Sequence, residues 1–455
     1  MRPPRALGGA LIAAALCGCA PTRATITVQP AESLQVIDGW EATAQAGQGF
    51  AIYERYRDTL LARAVDDLGL TRLRVEVRSG SEQDQDYGTE EQPGAVTGRS
   101  WRCARYWTVN DNDDPRVIRW EGFHFTELDQ TIEKLFLPMK RLVEARGEHL
   151  ALNINYVAFV GQCGQDAPYV HASVDEYAEF VLATVMHLQQ RYGLVPDYWE
   201  PVLEPATRRW PGRHLGEAIV AAAARLREEG FGQVKFIAPS TVGMATALEY
   251  YDAMSTVPGA RELVAELSYH RYRRVSSGAL RAIGEHANAR VHTAMLEKIG
   301  AGYDQLHDDL DIGRVSAWQQ YGIYYPDGRS GDHPGQYLVV DSAGGRWTVR
   351  LSKWSRFLRQ YFVHVRPGAQ RIGAASTSGR VRPLAFINTD GRYAVIAKTS
   401  GAAELEVAGL PPRQYAVEYT TGSADGAPTR VAVGDDGILR ASIPARGVLS
   451  ATAVP

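Results

Sequence analysis

The chain has 455 residues, too many for one small domain and enough for a barrel of roughly 250–330 residues plus one further domain. Its 45% hydrophobic and 22% charged content is ordinary for a soluble globular protein. A formal charge of −3, with no basic stripe, argues against a nucleic-acid partner.

The first 19 residues read as a targeting segment rather than as structure. Arg2 and Arg5 supply a positive start, and Ala6–Leu16 is an apolar run too short to span a bilayer. Leu16-Cys17-Gly18-Cys19 then resembles a bacterial lipobox, with Cys19 as the lipidated residue. An ordinary signal peptide cut near Ala20 is the alternative. The lipobox predicts an exported lipoprotein facing the periplasm or cell surface and touching the membrane only through its anchor. No other apolar run is long enough to cross a membrane.

Thr25–Gln29 is strand-like and ends at Pro30. From residue 36 to 365, short β-rich runs alternate with helical patterns. Strand candidates are Gln35–Trp40, Thr71–Val77, Leu150–Tyr156, Pro196–Leu203, Val234–Pro239, Leu263–Tyr269, Arg290–Leu296 and Arg314–Gln319. Between them, Tyr177, Phe180, Val181, Val185 and Leu188 follow helical spacing behind a capping box of Ser173 and Glu176. Leu215, Ile219, Ala222, Ala223 and Leu226 do the same and stop at Gly230. Eight such alternations predict a parallel (β/α)₈ barrel. An open Rossmann-type sheet is the alternative, weakened because no glycine-rich turn follows the first strand.

Arg78–Phe125 is a long polar and aromatic segment after the second strand, placed to cover the C-terminal face of the barrel. Its Trp101, Tyr106, Trp107 and Trp120 suit stacking on sugar rings. Within it, Asn110-Asp111-Asn112-Asp113-Asp114-Pro115 invites a calcium reading but lacks the glycine and closing glutamate of an EF-hand loop, so a solvated turn is expected. Outside the leader only Cys103 and Cys163 occur. In an exported chain two cysteines favour a disulfide, and no histidines stand at metal-ligand spacing beside them. No metal or cofactor is expected.

After Arg366 the pattern changes to alternating strands: Val381–Asn388, Arg392–Thr399, Ala403–Val407, Gln414–Thr420, Thr429–Val433 and Gly447–Ala453. They read as an antiparallel β-sandwich over residues 366–455, completed by an N-terminal strand from residues 20–35.

Catalytic groups in such barrels sit at the C-terminal ends of strands. That rule selects Arg74 after strand two, Glu204 after strand four, His270 and Tyr272 after strand six, Glu297 after strand seven and Trp318 after strand eight. Glu200, inside strand four, competes with Glu204 and ranks below it. Two carboxylates at strands four and seven fit a retaining glycosidase, which needs one protonated acid and one ionised nucleophile. Arg74, or a hydrogen bond from Tyr272, would keep Glu297 ionised. Each residue also has a plain structural reading: a turn for Glu204-Pro205, a surface ion pair for Glu297-Lys298, a core histidine for His270, core packing for Trp318, and a structural ion pair for Arg74.

These motifs, with Ile37-Asp38-Gly39-Trp40 at the first strand, resemble the clan A glycoside hydrolases, and the barrel-plus-sandwich plan resembles glycoside hydrolase family 30. The resemblance covers nearly all of the chain after the leader. It implies that Glu204 is the acid/base, that Glu297 is the nucleophile, that Arg74, His270, Tyr272 and Trp318 line the substrate site, and that the partner is an oligo- or polysaccharide. One position departs from the pattern. Clan A enzymes carry an asparagine before the acid/base to bind the sugar 2-hydroxyl, and this chain has Leu203. Asn153 or Asn155 on strand three could take its place. A surface-anchored carbohydrate-binding lipoprotein with an inactive barrel is the second reading, and retention of both carboxylates favours the enzyme.

Overall fold

The computed structural model describes residues 20–88, 103–159, 169–205, 210–326 and 331–454. Cys19, Trp101 and Cys163 lie outside the described residues. Among those described, no helix is long and apolar enough to cross a membrane.

Eight parallel strands close the barrel: β2 (Gly39–Thr43), β3 (Arg72–Arg78), β4 (Ala151–Val157), β5 (Tyr198–Glu200), β6 (Lys235–Gly243), β7 (Val264–Arg273), β8 (His292–Glu297) and β9 (Val315–Trp318). The expectation of a closed barrel rather than an open sheet therefore holds. Closure is made where β9 pairs with β2, Ala317 to Gly39 and Trp318 to Trp40. Gly39 has φ +144° and lies so close to Thr71 that a Cβ would sit 2.6 Å from its Oγ1. Only glycine fits that entry into the first strand.

Period-two alternation divides each barrel strand between two cores. Ile237, Ala294, Leu296 and Ala317 pack together in a small inner cluster. Their neighbours Phe236, Met295 and Trp318 belong to the large core that also holds the helices. The helix Val174–Tyr192 starts at Ser173, whose hydroxyl accepts from the Glu176 N–H. The return half of the expected capping box is replaced by an Asn110 contact, its Nδ2 lying 3.4 Å from Glu176 Oε1. The helix Gly212–Glu228 is followed by Gly230 at φ +84°, the left-handed residue that stops it.

The second unit is the β-sandwich, a nine-stranded and mostly antiparallel sheet around its own core. It takes in β1 (Thr22–Val36) and β12 (Gln370–Ser376), β13 (Val381–Ile387), β14 (Tyr393–Thr399), β15 (Ala403–Ala408), β16 (Gln414–Thr421), β17 (Asp425–Ala432), β18 (Ile438–Ile443) and β19 (Gly447–Ala453). β1 pairs antiparallel with β12 and parallel with β15. It does not end at Pro30: the register slips between Gln29 and Ser33, so the proline falls where no ladder N–H is required. β1 also takes Gln35 and Val36, which had been expected to open the first barrel strand. Leu384, Phe386 and Ile396 face the barrel core, while Ala385, Val395 and Ala397 face the sandwich core. Buried Arg371 ties the two units by bonding Asp311 and the Leu310 carbonyl. A hairpin of β10 (Leu338–Ala343) and β11 (Arg346–Leu351), absent from the sequence expectation, precedes the last helix, Ser355–Phe362.

Candidate active site

The site is built from charged groups at the upper end of the barrel lumen. Arg74 on β3 is wholly buried. Its Nη2 donates to Glu297 Oε2 at 2.5 Å and to Thr43 Oγ1 at 2.9 Å, and its Nη1 donates to the Leu296 carbonyl at 3.2 Å. Glu297 ends β8, 7% exposed. Its other oxygen accepts from the Tyr272 hydroxyl at 3.0 Å, and that hydroxyl in turn accepts from the Ile299 N–H at 3.1 Å. Burial alone would raise the Glu297 carboxyl, but the charges of Arg74 and His270 and the hydrogen bonds from Arg74 and Tyr272 outweigh it. The net effect holds Glu297 below the usual carboxylate range, ionised as a nucleophile requires.

Glu204 stands opposite. β5 is shorter than expected and stops at Glu200, so Pro201–Leu203 form a turn out of the sheet. Glu204 then adopts φ +52°, a left-handed backbone that a non-glycine residue rarely holds. Its N–H donates to the Ser240 carbonyl at 3.2 Å, and its side chain keeps about a quarter of its surface open. Glu204 Oε1 and His270 Nδ1 share a hydrogen bond at 3.0 Å. One oxygen of Glu204, one of Glu297 and a ring nitrogen of His270 all lie within 4.8 Å of one another. A metal ion could use three ligand atoms at that spacing. Here the Arg74 guanidinium already supplies positive charge to Glu297, and His270 is engaged with Glu204. The set is thus arranged for proton transfer and attack.

Five of the expected residues are brought together: Arg74, Glu204, His270, Tyr272 and Glu297. Their partners refine their roles. Arg74 and His270 are fully buried and touch the two glutamates, so they position those groups instead of lining the substrate surface. Trp318 is not at the mouth, which corrects the sugar-platform expectation. Strand alternation sends Ala317 into the lumen and Trp318 outward, where it is fully buried, packs 6.1 Å from the Phe362 ring and donates its Nε1 to Asp309 at 2.9 Å. Leu203 is nearly buried, and its N–H is held by the Tyr156 carbonyl at 2.9 Å. Cys103 is disulfide-bonded, and Cys163, its expected partner, falls outside the described residues.

Other members were ranked low in the sequence, as Glu200 was, or missed, as Tyr321 and Tyr325 were. Glu200 is wholly buried beneath the site, with Asn153 Nδ2 at 3.4 Å and Oε1 unpartnered. Burial raises its carboxyl, partly offset by Arg74, Ser240 and His270. Tyr321 and Tyr325 follow β9 and stack with ring centres 5.6 Å apart, close enough to Glu297 and Glu76 to feel their charge. Tyr325 also lines a cavity of about 380 Å³ with Gln45, Gln48, Arg78, Glu127 and Gln130. The aromatic run after strand eight could have been found by applying alternation to Trp318 and reading on to Tyr321 and Tyr325, three and seven residues further.

No family model matches the chain. Solved structures of similar fold include the catalytic domain of a glycoside hydrolase family 30 xylanase C from Talaromyces cellulolyticus, 15% identical, with a TM-score of 0.68 over 95% of this chain and 100% of that one. A family 30 endoxylanase from Clostridium papyrosolvens is 16% identical, with a TM-score of 0.64 over 95% of this chain and 100% of its own. An endo-β-1,6-glucanase is 13% identical, with a TM-score of 0.62 over 95% of each chain. At these identities the likeness is one of fold, and the fold is the barrel-plus-sandwich seen in glycoside hydrolase family 30.

Proposed function

We propose that the protein is a retaining O-glycoside hydrolase acting on an oligo- or polysaccharide. The observation that carries this reading is the closeness of the two carboxylates, one oxygen of each lying within 4.8 Å of the other, which suits the short spacing of a retaining pair. Retaining enzymes hold their carboxyl groups about 5–5.5 Å apart, whereas inverting enzymes need about 6.5–9.5 Å to admit a water. Glu297, kept ionised by Arg74 and Tyr272, attacks the anomeric carbon. Glu204 protonates the leaving oxygen through its own proton, with His270 fixing the carboxyl. Glu204 then takes a proton from the water that releases the glycosyl-enzyme. Solved structures of the same fold include family 30 xylanases, which supports a glycan as substrate.

Leu203 offers no hydrogen bond to a sugar hydroxyl. Asn155, paired in register with Glu200, presents a buried amide with neither atom hydrogen-bonded and is our candidate for the missing contact. We also propose export and anchoring through Cys19, from the lipobox resemblance alone.

The reading is tested by incubating the mature protein with a panel of polysaccharides and following the first-formed anomer by proton NMR. Retention is expected, and a 2-fluoro glycosyl inhibitor should label Glu297. Inverted product, or a label on another residue, would overturn the mechanism. Saturable glycan binding without hydrolysis across the panel would favour the carbohydrate-binding lipoprotein instead.

A further inference from the structure

Tyr325 is shared between two places. It stacks on Tyr321 beside Glu297, and it also lines the cavity of about 380 Å³, a size within the range of small-ligand pockets, about 300–1,000 Å³. Three stretches of chain wall that cavity: the turn after β2, the long loop after β3 with the helix Thr126–Thr131, and the segment after β9. Gly322 joins it to the site. A Cβ there would lie 3.0 Å from Tyr325 Cε2 and 3.4 Å from the Gln45 side chain, so the glycine lets the tyrosine settle against that glutamine.

The walls hold polar groups left unused. Gln45 Oε1 is buried with no hydrogen-bond partner, and the Gln130 amide bonds nothing among the described residues. Gln48 differs, its amide being spent on Ala44, Ala46 and Thr131. Phe50 is 54% exposed and stacks on no ring among the described residues. The charges, by contrast, are balanced. Arg78 bonds Glu127 at 2.9 Å and Glu76 at 3.2 Å, and Arg105 pairs with the same Glu127 carboxylate. Two guanidiniums thus meet two carboxylates, which leaves no net charge to draw an anion.

We propose that this cavity is a subsite for a neutral sugar ring on the glycone side of the bond that is cut, so that the protein grips at least two linked sugars before Glu297 attacks. The assignment of side rests on the hydrolase reading. β9, β2 and β3 lie across the closed barrel from β5, the strand that leads to Glu204. The leaving group departs on the side of the acid that protonates it, so a ring held across the barrel belongs to the glycone. Amides give sugar hydroxyls both donors and acceptors, and an exposed aromatic ring offers the apolar face of the sugar a stacking surface. A hydroxyl seated there would also satisfy the stranded Gln45 oxygen, which is costly to leave unpaired.

The test gives the full mature chain paired 4-nitrophenyl β-glycosides, one sugar against two, in the gluco, xylo, galacto and manno series. In whichever series is cleaved, kcat/KM should be at least about tenfold higher for the two-sugar member. Gln45→Leu keeps the bulk of the side chain without its hydrogen bonds, and Phe50→Ala trims an exposed ring without uncovering a core. Each should lower that ratio about five- to tenfold, chiefly through KM. Equal kcat/KM for one and two sugars would overturn the proposal, as would variants that lower both members alike. Binding separates the subsite from the reaction. Calorimetry on Glu297→Gln should show one or more of cellotetraose, xylotetraose, galactotetraose and mannotetraose bound, with Gln45→Leu in that background weakening the tightest about five- to tenfold. Tetragalacturonate should bind more weakly. Such binding without cleavage of any pair would overturn the hydrolase reading and keep the sugar site. No tetraose binding, or tighter binding of tetragalacturonate, would overturn the subsite itself.

Discussion

Arg72 and Arg74 sit two residues apart on β3, point into the same lumen and are both wholly buried, yet they are used in opposite ways. Arg72 is saturated. It bonds Glu41 at 3.0 Å and Glu266 bidentately at 2.6 and 3.1 Å, and its guanidinium lies 4.5 Å from the centre of the Tyr198 ring. Arg72, Glu41 and Glu266 have no unpartnered side-chain atom. One layer higher, Arg74 bonds a single carboxylate and leaves its Nε unpartnered. Around it the same is true of Glu200 Oε1, Asn153 Oδ1, Gln319 Oε1, His270 Nε2 and both amide atoms of Asn155. A satisfied buried network holds a fold together, whereas an unsatisfied one costs stability and persists where function needs the free groups. The contrast between the layers marks the upper one as the site without reference to any relative.

The largest effects should separate the layers most sharply. Glu204→Gln should lower turnover of a natural glycan by about 10²–10⁴-fold, the range for losing a general acid, while Tm stays within about 2 °C of wild type. Substrates with activated leaving groups should suffer less in the first step. Near-wild-type hydrolysis by this variant would remove Glu204 from the reaction. Arg72→Met should do the reverse. It strips Glu41 and Glu266 of their bonded counter-charge, at a cost of about 3–5 kcal/mol, and turnover per folded molecule should hold. Denaturant melts together with active-site titration read both quantities. Equal loss of stability from Arg72→Met and Arg74→Met would erase the distinction between the layers.

An intermediate effect should come from Arg74→Lys. Lysine keeps the charge but not the planar fork that reaches Glu297, Thr43 and the Leu296 carbonyl together. We expect about a tenfold loss in kcat/KM. The acid limb of the pH profile should move upward, because weaker pairing lets Glu297 take a proton at higher pH. An unmoved acid limb would show that Arg74 does not set the charge of Glu297.

Much of this was legible from strand ends. Glu204, Glu297, His270 and Tyr272 each follow or close a β-rich run, and the rule that barrel chemistry sits there needs no side-chain geometry; Arg74 lies inside β3 and reaches the site through the length of its side chain. Trp318 failed because the rule says where a residue lies along a strand and not which way it faces; the alternation of Ala317 and Trp318 decides that. Glu200 was ranked low because the expected strand Pro196–Leu203 placed it inside, but β5 stops at Glu200, which makes it a strand-end residue on the floor of the site. Asp111 misled because a run of Asn and Asp has the composition of a solvated turn, yet Asp111 is only 8% exposed, its carboxylate held by the Arg119 N–H and Asn112 Nδ2. The hairpin of β10 and β11 and the strands β12 and β18 were missed for a simpler reason: runs of six or seven residues carry little periodic signal.

The smallest expected effect tests the upper layer through its floor. Burial raises the Glu200 carboxyl, with Arg74, Ser240 and His270 offsetting part of the rise and Glu41 adding to it. A carboxyl raised above its unfolded value keeps its proton in the folded chain at a pH where the unfolded chain has lost it. The folded state then binds more protons, so stability falls as pH rises from the ordinary glutamate range, about 4.3, towards the folded value. Glutamine keeps the shape of the protonated side chain and cannot ionise. Glu200→Gln should therefore gain Tm relative to wild type as pH rises through that window, by about 1–2 °C in all, and show a flat difference below it. Glu41 and Glu266 are also raised by burial, but both are present in each protein and cancel in the comparison. Paired melts at half-unit steps from pH 4 to pH 8 read the slope. A flat difference across the whole range would mean that Glu200 does not titrate there. A falling difference would mean that it is held as a charge partner of Arg74, which would make the upper layer as saturated as the lower one.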